Sequence, residues 1–422
     1  MPFSSLPEDV LLPIFIMVLS EHKNNPYTYT DDPPIAMQLS QISPSTRRVV
    51  RNASLLWTAI DNAVLQNASR LHTHLELSGQ RPLDIFTDLG EDGTIFSNLA
   101  PLLEHVHRWR QLHLWSIGDD EIEQILAALR GLCAPILENL HIMLDNEANL
   151  PPRAFSIFQG GTPSLKELGL YRVMCLPGVT HTLVRLRVEN TIFQQPMWTF
   201  NEFADMITRM RSLSDIILKG TVVGFRPWRP FTPVVFPHLS SVTLTMDEDE
   251  DQYRHFDEDM GNPYIADMLL LFCSSPVNSL RVLLGTSAAA KPVFNAMRSG
   301  GLRFKHVTYL CWEVPISGPR DSRTFINAFP SVEFFYMVPL SDEFLGILID
   351  DTAPGGGPLW PRLHTFHWAF PQVQSARKFV QNRIDQGKPL RELRMWRQMN
   401  QPSGDDAEWL ENNVKIRWVR EE

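Results

Sequence analysis

Along most of the chain, short apolar clusters return in one spacing, apolar-x-x-apolar-x-apolar. The pattern reads WRQLHL from residue 109, LENLHI from 137, LKELGL from 165, LVRLRV from 183, LSDIIL from 213 and LSSVTL from 239. It continues as VNSLRV from 277, FKHVTY from 304, VEFFYM from 332, LHTFHW from 363 and LRELRM from 390. Successive starts lie 26 to 31 residues apart, except for one step of 18 and one of 38. Alternating side chains of an extended chain place such apolar positions on one face, so each cluster predicts a short strand. Between many of them lie helix-like segments: DDEIEQILAAL, NEFADMITRM, YIADMLLLF, SDEFLGILI and QSARKFVQNRI. In the second of these, Phe203, Met206, Ile207 and Met210 fall at i, i+3, i+4 and i+7, one face of a helix. Pro163, Pro237, Pro330, Pro361 and Pro389 precede strands, where proline ends the incoming helix and loop. A unit of helix, turn and strand cannot bury its own apolar face. The units must therefore stack, parallel strands on one side and helices on the other.

The start of the chain breaks this rhythm. LPEDVLLPIFIMVL, residues 6–19, is an apolar run with Glu8 and Asp9 ahead of it and Ser20 and Glu21 behind it. Without a cationic start it does not read as a secretion signal, and it is too short to span a membrane. The expectation is an intracellular chain, cytoplasmic or nuclear, with no membrane partner. Ser5 and Glu8 have capping-box spacing and Pro7 suits a first helical turn. Val10, Leu11, Ile14, Phe15, Val18 and Leu19 then form one predicted helical stripe. Pro13 removes the bond to Asp9 and predicts a bend.

Composition narrows the chemistry. The 422 residues are 44% hydrophobic with a net charge of −10, which argues against a nucleic-acid partner. Much of that charge sits in MDEDEDQYRHFDEDM, predicted to be a solvated loop at about 246–261. Asp247, Asp249, Asp251 and Glu258 match a calcium-loop template, but Gln252 stands where that loop needs glycine. Cys133, Cys175, Cys273 and Cys311 have neither disulfide nor zinc spacing and read as reduced. His105 with His107, and His364 with His367, lack companion ligands. No nucleophile elbow or His-Glu-x-x-His occurs, and APGGGPLW lacks the Gly-Lys-Ser/Thr of a phosphate loop. The expectation is a non-catalytic protein without cofactor or metal.

Two resemblances organise these readings. The repeated clusters resemble leucine-rich repeats, although Val173, Thr191 and Thr221 stand where that family has Asn or Cys. Leu6, Pro7, Val10, Leu11, Ile14 and Phe15, then Ile42, Arg47 and Val49, then Leu56, Trp57 and Ile60 resemble the F-box motif. Ser43 and Thr46 depart from it, and the connector from 20 to 34 is long. The order is similar to fungal F-box proteins with irregular leucine-rich repeats. The resemblance implies an α/β fold: a three-helix F-box over 1–62, then a degenerate solenoid over 63–422 with strands on its concave side and helices on its convex side.

It also implies an adaptor of a Skp-cullin-F-box ubiquitin ligase. Leu6, Pro7, Val10, Leu11, Ile14, Ile42 and Trp57 would dock a Skp-type linker, and through it a cullin. The outward strand positions Trp115, His141, Tyr171, Arg185, Arg187, Tyr336, His367, Arg394 and Trp396 would hold a protein target. The alternative is a repeat scaffold whose F-box-like start only caps the solenoid.

Overall fold

The computed structural model describes residues 6–24, 33–88, 94–116, 119–144, 154–178, 181–190, 197–224, 234–246, 263–284, 290–316, 318–338, 342–350, 358–368, 373–396 and 404–419. The acidic segment and Ser5 lie outside them. The chain is an α/β protein that divides into two compact units, Met1–Val188 and Glu189–Glu422.

Unit 1 begins with helices Glu8–Asn24, Ile35–Gln41 and Pro44–Asn52. The first runs through Pro13 as one helix. The third is started by a capping box: the Ser43 hydroxyl accepts from the Thr46 N–H, and the Thr46 hydroxyl accepts from the Ser43 N–H, with Pro44 at the first helical position. The two residues that depart from the F-box pattern thus secure a helix start. Leu11, Phe15, Leu19, Leu39, Val50, Leu56 and Trp57 form the core of this bundle. The Trp57 indole N–H donates to the Val50 carbonyl at 2.8 Å.

Parallel strands follow. Ala59–Ile60 (β1), Leu83–Asp88 (β2), Trp109–Ser116 (β3), Asn139–Leu144 (β4), Glu167–Tyr171 (β6) and Arg185–Asn190 (β8) stand side by side in chain order. The first strand belongs to the segment expected to be wholly helical, and it pairs Ala59 with Asp84. Ile85, Leu112, Leu140 and Leu168 lie in one register row and Thr87, Leu114, Ile142 and Leu170 in the next; apart from Ile85 and Thr87 of β2, these side chains are the apolar anchors of the pattern. Helices Thr94–Leu103 and Asp119–Leu129 connect the early strands. Between β4 and β8 no helix lies among the described residues; short strands Ala154–Ile157 (β5) and Met174–Pro177 (β7) stand there and pair with each other. An extended connection needs fewer residues than a helix and two turns, which accounts for the 18-residue step.

Unit 2 is more regular. Strands Asp215–Gly220 (β9), Ser241–Met246 (β10), Ser279–Leu284 (β11), Tyr309–Glu313 (β12), Phe334–Met337 (β13), Thr365–Trp368 (β14), Glu392–Trp396 (β15) and Lys415–Val419 (β16) follow one another in parallel. Helices Tyr264–Phe272, Ala290–Arg298, Gly318–Ala328, Asp342–Asp350, Val373–Asp385 and Asp405–Asn413 alternate with the later strands, and each packs against the next. The buried row Ile216, Val242, Leu280, Leu310, Phe335, Phe366 and Leu393 runs across the sheet beneath them. One expectation shifts: the cluster read from Phe304 is anchored instead by Val307, Leu310 and Trp312, three residues later. Phe304 is buried too, stacked on Phe329 with ring centroids 5.5 Å apart, so its apolarity imitates a strand anchor.

Candidate protein-docking surfaces

The first helix carries two apolar stripes. Leu11, Phe15 and Leu19, spaced by four, are 0%, 0% and 5% exposed and face the bundle core. Val10 and Val18, 42% and 36% exposed, and Met17, 66% exposed, lie on the other side with Ile14 half-buried among them in sequence. Their spacing of i, i+4, i+7 and i+8 places the four on one face. Ile42, just past the second helix, is 53% exposed. Val10, Met17, Val18 and Ile42 make up half of the exposed large apolar side chains among the described residues. Of the positions expected to dock a linker, Val10, Ile42 and Pro7 are exposed and Leu6 and Ile14 half-buried. Leu11 and Trp57 are instead core residues of the helical bundle, buried in this chain. A helical stripe of six residues is too wide to face one way. The structure divides it along its length.

The sheet faces turned away from the core carry the other candidates. In unit 1, Phe86, His113, His141 and Gly169 share a register row. The His113 and His141 rings stack at 4.4 Å, 4° from parallel, and Phe86 lies 4.9 Å from His113. Gly169 makes this possible. A Cβ there would come within 2.6 Å of His141 Nδ1, so the histidine leans into space that only glycine leaves open. His141 Nε2 reaches Glu167 at 3.6 Å, and Arg185 reaches the same carboxylate at 3.4 Å. The bond to His141 is the main reason why the Glu167 carboxyl titrates below its ordinary range. Trp115, Met143 and Tyr171 form the adjoining row, with the Arg187 guanidinium 5.1 Å from the Tyr171 ring centre. Trp115, His141, Tyr171, Arg185 and Arg187 therefore lie on neighbouring strands, in one aromatic and cationic patch.

Tyr336, His367 and Arg394 meet in unit 2, in a row that runs Arg281, Cys311, Tyr336, His367, Arg394 and Arg417. Tyr336 and His367 are 4.5 Å apart by ring centres. In the next row Tyr309 stacks on Phe334 at 4.3 Å, and the Arg394 guanidinium covers Phe334 at 5.1 Å while bonding Glu392 at 2.6 Å. Trp396 sits at the far end of β15, opposite Val419. Arg281, Tyr309, Cys311 and Glu313 belong to the same face and were missed. The cluster read three residues early at 304 hid the outward positions of β12. Burial lifts the Cys311 thiol to about 11 and raises the Glu313 carboxyl, so this face holds a protonated thiol with little nucleophilic character.

Among the described residues no three His, Cys, Asp or Glu side chains gather as metal ligands, and no helix is long and apolar enough to cross a membrane. No protein-family model matches the chain, and no curated protein matches it.

Two expected results test this geometry. Gly169→Ala forces the His141 ring off His113 and should destabilise the protein by about 1–3 kcal/mol, as overpacking does, measured by urea melting. The second concerns pH. His74, His113 and His367 are pulled down from 6.5 to about 4, 3 and 4, in each case first by burial; a neighbouring charge, His141 for His113 and Arg394 for His367, adds to it. The unfolded chain takes up protons near pH 6.5 that the folded one refuses, so stability falls as pH drops from about 6.5 toward 4. His113→Phe keeps a ring in the stack and removes one such site. Its unfolding free energy, measured by urea denaturation, should fall less between pH 7 and pH 4.5, by no more than about 1.4 kcal/mol per pH unit.

Proposed function

We propose that this chain is a non-catalytic, substrate-recognition adaptor of a Skp-cullin-F-box type ubiquitin ligase. In this reading the helical start is an F-box that docks a Skp-type linker, and the strand units are irregular leucine-rich repeats whose outer faces hold a protein target. The observation that carries it is the second stripe of the first helix. Val10, Ile14, Met17 and Val18 are not needed to fill the bundle, whose core is completed by Leu11, Phe15 and Leu19. An apolar helix face left in water marks a surface that a partner covers, and an i, i+4, i+7 row is how a helix enters a partner's groove. The aromatic and arginine patches on the two sheet faces have the composition of interface anchors.

A second reading has its own support. β1 belongs to the helical start yet pairs with β2, so this start also covers the first edge of the sheet, as a cap on a repeat array does. Purified Skp-type linker, mixed with the full chain and analysed by size-exclusion chromatography, separates the two. Co-elution in a one-to-one complex supports the adaptor; a folded chain that elutes alone supports the scaffold.

A further inference from the structure

In unit 1 the space between β3 and the helices Thr94–Leu103 and Asp119–Leu129 is not filled. A cavity of about 70 Å³, partly open to solvent, lies there, walled by Leu99 and Leu103 from one helix, Leu114 from the strand, and Ala128 and Leu129 from the other helix. Every described residue around it is apolar or aromatic. The equivalent space in unit 2 shows how this architecture closes when nothing else is meant to enter. Between helices Gly318–Ala328 and Asp342–Asp350, the rings of Phe325, Phe335, Phe344 and Trp360 pack together with centroids 4.7 to 6.1 Å apart. In unit 1 the two helices contribute alanines, Ala100 and Ala128, to the open space.

By volume several waters would fit, since one needs only about 10–15 Å³, but a water also needs two to four polar partners, and these walls supply almost none. An empty apolar void lowers stability. The space is far too small for a helix or a folded partner. We propose that it binds the apolar end of a small amphipathic molecule, an alkyl chain whose single polar group stays in water at the mouth.

The test titrates sodium hexanoate and, at matched ionic strength, sodium adipate into the full chain. Binding is followed by thermal melting and by saturation-transfer NMR on the ligand. Hexanoate should raise the melting temperature saturably and show transfer from the protein. Adipate, which must bury a second carboxylate without a partner, should do neither. Ala128→Leu fills the cavity from one helix and Ala100→Leu from the other; each should melt at or above the parent and lose the hexanoate response. A parent without a saturable response, an equal response to adipate, or an unchanged response in a filled variant that folds would overturn the proposal. So would unfolding of both filled variants, because the space would then have no room to fill.

Discussion

Val10→Asp is expected to abolish binding of a Skp-type linker while leaving the melting temperature of the free chain within about 2 °C of the parent. Val10 is 42% exposed, so the new carboxylate stays hydrated in the free protein. In a complex it would be buried against an apolar groove, and an unpaired charge there costs several kcal/mol, a loss of at least about 100-fold in affinity. Met17→Asp, two turns along the same face and 66% exposed, should behave in the same way. Leu11→Asp is the contrast, because a fully buried side chain cannot carry that charge; the helical start should melt and binding should vanish for a trivial reason. Linker binding by calorimetry, paired with thermal melting on all three variants, reads the difference. Binding retained in both exposed variants would transfer support to the capping role.

Arg383→Leu should destabilise the chain by about 3–5 kcal/mol. Arg383 is 1% exposed, in helix Val373–Asp385, and burial pulls its pKa down to about 10. Its guanidinium still carries a proton at neutral pH. It donates to the carbonyls of Lys388, Leu359, Trp360 and Leu363, at 2.9 to 3.3 Å. One planar cation thus satisfies the turns on both sides of a helix. Leucine matches its bulk but takes the side-chain donor from the Lys388, Leu359 and Leu363 carbonyls, at about 1–3 kcal/mol for each one that water cannot reach, while the Trp360 carbonyl keeps its bond from the Leu363 N–H at 3.0 Å. Arg383→Lys should recover only part of the loss, since an ammonium cannot spread over four acceptors in this geometry. Urea denaturation at pH 7 measures both. Arg108 performs the same service in unit 1, with Leu75, Ser78, Gly79 and Arg81 as its acceptors.

Where local pattern and packing coincide, the sequence is a good guide. The helix expected at YIADMLLLF is Tyr264–Phe272, and ten of the repeated clusters carry their strands where the spacing puts them. The eleventh fails for a physical reason: Phe304, Val307, Leu310 and Trp312 are all buried, so apolarity alone does not say which of them belong to a strand. The strands β5 and β7 could not be read, because their residues neither alternate clearly nor carry the anchor pattern. β16 was missed on different grounds. At the end of the sheet only one side of it is paired among the described residues, and Lys415, Ile416, Arg417 and Trp418 stay exposed or half-buried. On the first helix, spacing could mark the apolar positions, but which half of the stripe a bundle would cover depends on the angle at which the other helices cross it. The patches on the sheets were legible as alternating outward positions; the stack of His113 on His141 required knowing that Gly169 stands beside them.

The strict chain order of unit 2 has a mechanical consequence. From β10 onward each strand bonds only its immediate predecessor and successor in sequence, so among the described residues no strand pairing ties distant parts of this unit together. Pulled by its C-terminus, such a sheet peels rather than shears: Lys415–Val419 detaches first, then Glu392–Trp396, each rupture uncovering the next edge. A single-molecule trace should be a staircase of small, similar steps. Each would release roughly one repeat of chain, on the order of 80–110 Å at about 3.3–3.6 Å per residue. Such a protein yields by instalments under load, and the part not yet peeled keeps its row of aromatic and arginine side chains.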